Sequence, residues 1–119
     1  MRKGRKKQSP RAIPGSGNIF ADLNLPNPDE WLAKAELARR ISDLIDSRGL
    51  SQRQAAALLG VKQPQVSAVM RGLLEGFTTD RLFRFLNKLG QEIKIVVHPA
   101  AKRKKRGSIR CLRMKRSAR

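Results

Sequence analysis

Polar side chains that can hydrogen-bond to nucleic-acid bases recur at short intervals between positions 62 and 71. They are Lys62, Gln63, Gln65, Ser67 and Arg71. A glutamine amide can pair with adenine through two hydrogen bonds, and a lysine ammonium can donate to guanine. This chemistry requires the side chains to project together from one rigid element that is narrow enough to enter the major groove.

The stretch from Leu50 to Gly72 predicts such an element, as two short helices joined by a glycine turn. Ser51 is the predicted N-cap, Gly60 permits a positive φ at the turn, and Pro64 suits the first turn of the second helix. Ala56 allows the two backbones to approach closely. The apolar inner face is predicted to consist of Ala55, Leu59, Val61, Val66 and Val69. The polar residues are then left on the outer face, with the N-terminal ones nearest the bases, as in a helix-turn-helix reader of double-stranded DNA.

Phosphate contacts have their own candidates in the same stretch. Gln52 stands at the start of the first of the two helices, where the helix N-terminus favours an anion. Arg53, Arg71 and the loop before Thr78 are further candidates. The alternative interpretation is an ordinary helical hairpin with solvated polar residues. The small residue, the glycine turn, the apolar spacing and the glutamine pair together favour the DNA reader.

Charge divides the chain into three parts. The 119 residues carry a formal charge of +18 from 27 basic and 9 acidic residues. Residues 1–11 hold 6 of the basic residues and residues 100–119 hold 10, with no acid in either segment. We therefore expect a disordered basic arm over residues 1–17, a folded DNA-binding and dimerisation domain over residues 18–99, and a disordered basic tail over residues 100–119.

Helices are also predicted on both sides of the central pair. Asn27 is the expected N-cap of a helix that begins at Pro28 and runs to about Arg48, with Gly49 ending it. Its apolar stripe is Trp31, Ala35, Ala38, Ile41 and Ile45. Thr78 or Thr79 is expected to cap a last helix, which Gly90 ends. The apolar residues of that helix are Leu82, Phe83, Phe85, Leu86 and Leu89.

The periodicity then changes to alternation, which predicts one β-strand over Glu92–His98. Ile93, Ile95 and Val97 share one face of it. A lone strand cannot satisfy its own backbone hydrogen bonds. Pairing with residues 18–23 is one solution, and pairing with the same strand of a second copy across a two-fold axis is the simpler one. We therefore expect a homodimer in which Ile93, Ile95 and Val97 are the dimerisation residues.

The run LSQRQAAALLGVKQPQVSAVMRG resembles the reader of the XRE family of Cro/CI-like helix-turn-helix regulators. The wider stretch over residues 16–99, with GFTTDRLFRFLNKLG after the reader, is similar to HigA-type antitoxins and their stand-alone relatives. The resemblance implies an all-α, lambda-repressor-like domain of four or five helices with one C-terminal strand. It also implies dimeric binding to a palindromic operator and pairing with a RelE-like ribonuclease toxin.

Residue roles implied by the resemblance agree with the pattern. The groove-facing positions are Gln63, Pro64, Gln65, Ser67 and Arg71, and Gln52 matches the phosphate-binding glutamine of the family. The basic tail from Lys102 onward is not part of the family pattern.

Other chemistry finds no support in the sequence. The lone cysteine, Cys111, permits no intramolecular disulfide, and His98 has no second histidine or cysteine pair with which to hold a metal. We expect no enzyme activity and no cofactor. No apolar run approaches membrane-spanning length, and no signal-peptide core follows the basic start, so a cytoplasmic protein is expected. An RNA-binding basic protein is the alternative from another functional class.

Overall fold

Four helices form within the part of the chain that the computed structural model describes, which is residue 23, residues 27–102 and residues 107–111. In chain order they are α1 (Pro28–Ser47), α2 (Gln52–Leu59), α3 (Gln63–Met70) and α4 (Thr79–Lys88). The all-α prediction is confirmed for these residues. The predicted basic arm, residues 1–17, lies outside them.

The start of α1 differs from the prediction. Pro28 occupies the first turn, and Asp29 and Glu30 follow it as expected, but the Asn27 side chain makes no cap hydrogen bond. Asn27 instead adopts a left-handed backbone, with φ 53° and ψ 53°. Side-chain capping normally requires an extended N-cap residue, whereas asparagine tolerates the left-handed region better than most residues. Asn27 is therefore the N-cap residue, as predicted, but its side chain does not cap the helix.

The boundaries of the central helices are confirmed. Ser51 Oγ accepts a hydrogen bond from the Gln54 N–H at 3.0 Å, and the Ser51 N–H donates to Gln54 Oε1 at 2.8 Å. This reciprocal capping box satisfies two donors at the start of α2. Gly60 ends α2 with φ 73°. Of the two threonines considered for α4, Thr78 is the cap, since its Oγ1 accepts from the Arg81 N–H at 3.1 Å.

One apolar core joins all four helices. Helix α1 packs against α3 and α4, and α2 packs against the same two helices. The most completely buried large side chains are Ile41, Ile45, Val66, Leu82 and Leu89. On α1 the predicted stripe is buried from Ala38 onward, whereas Trp31 and Ala35 are only half-buried.

Two long basic side chains tie helix ends together. Lys88 Nζ donates to the Leu59 carbonyl at the end of α2, over 3.2 Å. The Arg48 guanidinium donates to the Leu89 carbonyl. Cations are favourable at helix C-termini, where backbone carbonyls lack intrahelical partners. The Lys88 contact fixes the end of α2, and with it the turn into α3, relative to α4.

The strand predicted over Glu92–His98 does not form in the described chain. A strand needs a neighbouring backbone, and no second strand exists among the described residues to supply one. Ile93 is half-buried against the core, while Ile95 and Val97 are 70% and 89% exposed. Within a single chain, therefore, the three residues do not share one face: Ile93 packs against the core, and Ile95 and Val97 are exposed to solvent.

Residues 107–111 of the predicted tail lie against α1. Cys111 Sγ is 3.8 Å from the Ala33 carbonyl oxygen. Burial raises the pKa of the Cys111 thiol, the carboxylate of Glu36 adds to the rise, and the Arg40 guanidinium opposes it. Because a raised pKa favours the neutral thiol, Cys111 packs as a small, weakly polar side chain.

Candidate nucleic-acid interface

Helices α2 and α3 form one rigid unit around a tight turn. Ala55, Ala56 and Leu59 of α2 are buried together with Val66 and Val69 of α3. At the turn, the N–H groups of Gly60 and Val61 both donate to the Ala56 carbonyl, at 2.9 and 3.0 Å. Val61 is half-buried against the core. The predicted inner face is confirmed, so the unit holds α3 by packing as well as by the turn.

The outer side of α3 is open to solvent. None of the predicted groove-facing residues is buried. Four of them, Lys62, Gln63, Pro64 and Arg71, are exposed, and Gln65 and Ser67 are half-buried. Because Val66 and Val69 point into the core, the polar residues lie on the remaining faces of the helix. The structure thus brings these residues together on the exposed side of one helix.

The two glutamines at the start of α3 differ in their surroundings. Gln65 Oε1 accepts a hydrogen bond from the Lys62 N–H at 3.3 Å. The Gln63 side chain makes no hydrogen bond to any residue that the structure describes. The sequence assigned the two amides the same role and did not separate them.

Gln52 occupies the first position of α2 and is half-buried, beside the exposed Arg53. The free N–H groups of a first helical turn and its positive dipole end favour an anion. Within the described chain neither side chain has an ion-pair partner. Both remain available to a phosphate.

Electrostatics sets this unit apart from α1. Residues 47–74 contain no acid and include four cations, which are Arg48, Arg53, Lys62 and Arg71. Helix α1 alone carries Asp29, Glu30, Glu36, Asp43 and Asp46. The only ion pair found among the described residues is Arg84–Asp80 on α4, at 3.1 Å. The surface around α3 therefore presents unneutralised positive charge, which attracts a polyanion.

The end of α3 meets α1 at an open groove of about 290 Å³. Arg71 and Gly72 line one side, and Arg39 and Ser42 of α1 line the other. Arg39 is exposed, so it adds a second guanidinium beside Arg71. Sequence reasoning missed Arg39 because only tertiary packing brings α1 to this end of α3.

Residues suited to other chemistry do not converge. His98 is exposed, with Nδ1 3.1 Å from the Pro99 carbonyl oxygen. No group of histidine, cysteine or carboxylate side chains that could hold a metal ion exists within the described ranges. Phe77 and Phe85 pack edge to face with ring centroids 6.3 Å apart, and Arg81 lies over Phe77 at 4.9 Å. These aromatic rings are engaged in packing within the domain.

None of the described helices is both long and apolar enough to cross a membrane.

Comparisons with known proteins agree with this geometry. A family model described as a helix-turn-helix domain matches residues 19–98. A solved structure assigned to the XRE family of transcriptional regulators is 37% identical, and the match covers 75% of this chain and 100% of that chain with a TM-score of 0.68. No curated protein matches this chain.

Proposed function

The chain belongs to the XRE-type helix-turn-helix family of transcriptional regulators, and from that premise we propose that it binds a palindromic DNA operator as a dimer and reads it with α3. The observation that carries the proposal is the exposed polar side of α3, set in a stretch of the chain that has cations and no acid. A helix presented in this way fits the major groove with its N-terminal residues nearest the base edges.

Each predicted contact residue has a role that suits its position. Gln63 and Lys62, at the exposed start of α3, are placed for base edges. Pro64 and Ser67 follow on the same helix, with Ser67 able to donate to a base or a phosphate. Arg71, at the C-terminal end of α3, has Arg39 beside it and is placed for the phosphate backbone. Gln52, at the start of α2, binds a phosphate together with that helix's N-terminus.

Selection of bound sites from a pool of random duplexes tests this proposal. We expect a two-fold symmetric consensus whose half-sites are about one helical turn apart. Replacing Gln63 by alanine should relax the preference at one base pair of each half-site, by about 1–3 kcal/mol. Equal weakening on the consensus and on random DNA would show that Gln63 touches no base. Tighter binding to structured RNA than to the selected duplex would favour the RNA-binding alternative.

Dimer formation is supported by the exposed apolar residues after α4. Ile95 and Val97 are large aliphatic side chains that no described residue covers, and an unpaired extended segment readily adds a strand to an identical one. We propose that residues 93–97 of two copies pair across the two-fold axis. A solution mass of two chains at micromolar concentration is expected, and replacing Ile95 and Val97 by lysine should return it to one chain. A wild-type mass of one chain would contradict the pairing.

An antitoxin function is the second candidate. It is favoured by the resemblance of residues 16–99 to HigA-type antitoxins, and it requires a stable complex with a RelE-like ribonuclease. DNA binding would then serve autoregulation. Regulation by operator binding alone requires no such complex. Co-expression with a RelE-like ribonuclease, followed by a test for a stable complex, therefore separates the two candidates.

A further inference from the structure

We infer that Gln63 and Gln65 read DNA with different chemistry, Gln63 through the oxygen and the nitrogen of its amide together and Gln65 as a hydrogen-bond donor. This inference rests on the proposed function. It assigns Gln65 to guanine, whose major-groove edge offers the two acceptors N7 and O6 and no donor.

The contact between Gln65 and the backbone carries the inference. Lys62 is the N-cap of α3, and its N–H donates to Gln65 Oε1 at 3.3 Å. Only the oxygen of an amide can accept from an N–H group, so the orientation of the amide is fixed by chemistry. The same contact occurs at α2, where Gln54 Oε1 accepts from the Ser51 N–H at 2.8 Å. In both helices, therefore, the glutamine at the third helical position caps the helix N-terminus.

The fixed orientation limits what Gln65 can offer to DNA. A bidentate contact to adenine needs the oxygen and the nitrogen of one amide side by side on the same base edge. Because Oε1 is held by the Lys62 N–H, the amide is restrained from turning its oxygen and nitrogen side by side toward one adenine. The outer N–H of Nε2 is the part of the amide that remains to contact a base. Donors alone match the N7 and O6 acceptors of guanine better than the mixed acceptor and donor edge of adenine.

Gln63 is not constrained in this way. It is exposed at the first position of α3, and its side chain has no hydrogen-bond partner among the residues described. Two residues correspond to about 200° of rotation in an α-helix, so Gln63 and Gln65 flank Pro64 with about 160° between them. The two amides therefore reach different base pairs, and only Gln63 can offer adenine both an acceptor and a donor.

Site selection with matched variants tests the division. The variants are Gln63→Met, Gln65→Met, Gln65→Glu and, as the capping control on α2, Gln54→Met. Gln63→Met should erase an adenine preference at one base pair of each half-site. Gln65→Met should erase a guanine preference at another, with at least about a fivefold loss of discrimination at each position. Gln54→Met should lower thermal stability and leave every base preference unchanged.

Gln65→Glu separates capping from reading. A glutamate oxygen keeps the contact to the Lys62 N–H, so the melting temperature should stay close to that of the wild type. The donor is lost, so the guanine preference should disappear as it does in Gln65→Met. The inference is overturned if the base pair that depends on Gln65 is an A·T pair, or if Gln65→Met alters stability alone while Gln63→Met alters base preference. If the wild type enriches no sequence, the proposed function fails and the inference with it.

Discussion

Replacing Leu82 by alanine is expected to lower the free energy of unfolding by about 2–5 kcal/mol. Leu82 lies in α4 and is fully buried, where it belongs to the core that all four helices share. Removing its isobutyl end loses the transfer free energy of the buried atoms and leaves a cavity that neighbours fill only partly. Domains of this size have about 5–15 kcal/mol in total, so the loss is a large share. Urea denaturation followed by circular dichroism measures it.

Leu58→Ala is the matched control, because the same atoms are removed from a side chain that is 43% exposed. Leu58 lies on the solvent side of α2, so its truncation should cost well below 2 kcal/mol. Similar losses for the two variants would show that the burial of Leu82 does not decide the stability of the domain.

Neutralising the basic run at residues 102–106 is expected to flatten the salt dependence of DNA binding. All five residues are lysine or arginine. Each phosphate that a cation neutralises adds about −0.9 to the slope of log K against log salt concentration. Substituting all five by glutamine should make the slope less negative by up to about 4.5. Between 50 and 200 mM salt, the wild type should then lose up to about 500-fold more affinity than the variant.

The substitution is preferable to truncation because residues 107–111, which follow the basic run, contact α1 through Cys111. A variant in which lysine and arginine are exchanged at the same five positions keeps every charge, and its slope should match that of the wild type. An unchanged slope in the glutamine variant would show that the run contacts no phosphate. Base preference should survive in both variants, since phosphate contacts carry no direct sequence information.

Local signals made the central unit predictable. The serine cap at Ser51 and the positive φ at Gly60 depend on residues within one turn of themselves, and apolar spacing alone fixes which side of a short helix is buried. The exposed side of α3 follows directly, because Val66 and Val69 leave the polar residues outside. These parts of the fold and of the candidate site could therefore be predicted from the sequence.

Features that depend on distant residues were not predictable in this way. The alternation over 92–98 has the periodicity of a strand, but strand formation requires a partner that the described chain does not supply. Arg39 joins Arg71 through the packing of α1 on α3, and Cys111 meets Ala33 across 78 positions of sequence. The role of Gln65 was missed for another reason: either of its two polar atoms can act, and the pattern does not say which one is engaged.

Titration of the isotope-labelled chain with its selected duplex, followed by amide chemical shifts, tests most directly the claim that α3 is the reading element. The largest changes are expected at Gln52 and over residues 62–71, with saturation at one dimer per operator. Changes at the start of α1 and over most of α4 should be small, because these regions are not assigned to the DNA surface. Changes concentrated on α4 or on Trp31, with residues 62–71 unaffected, would contradict the claim.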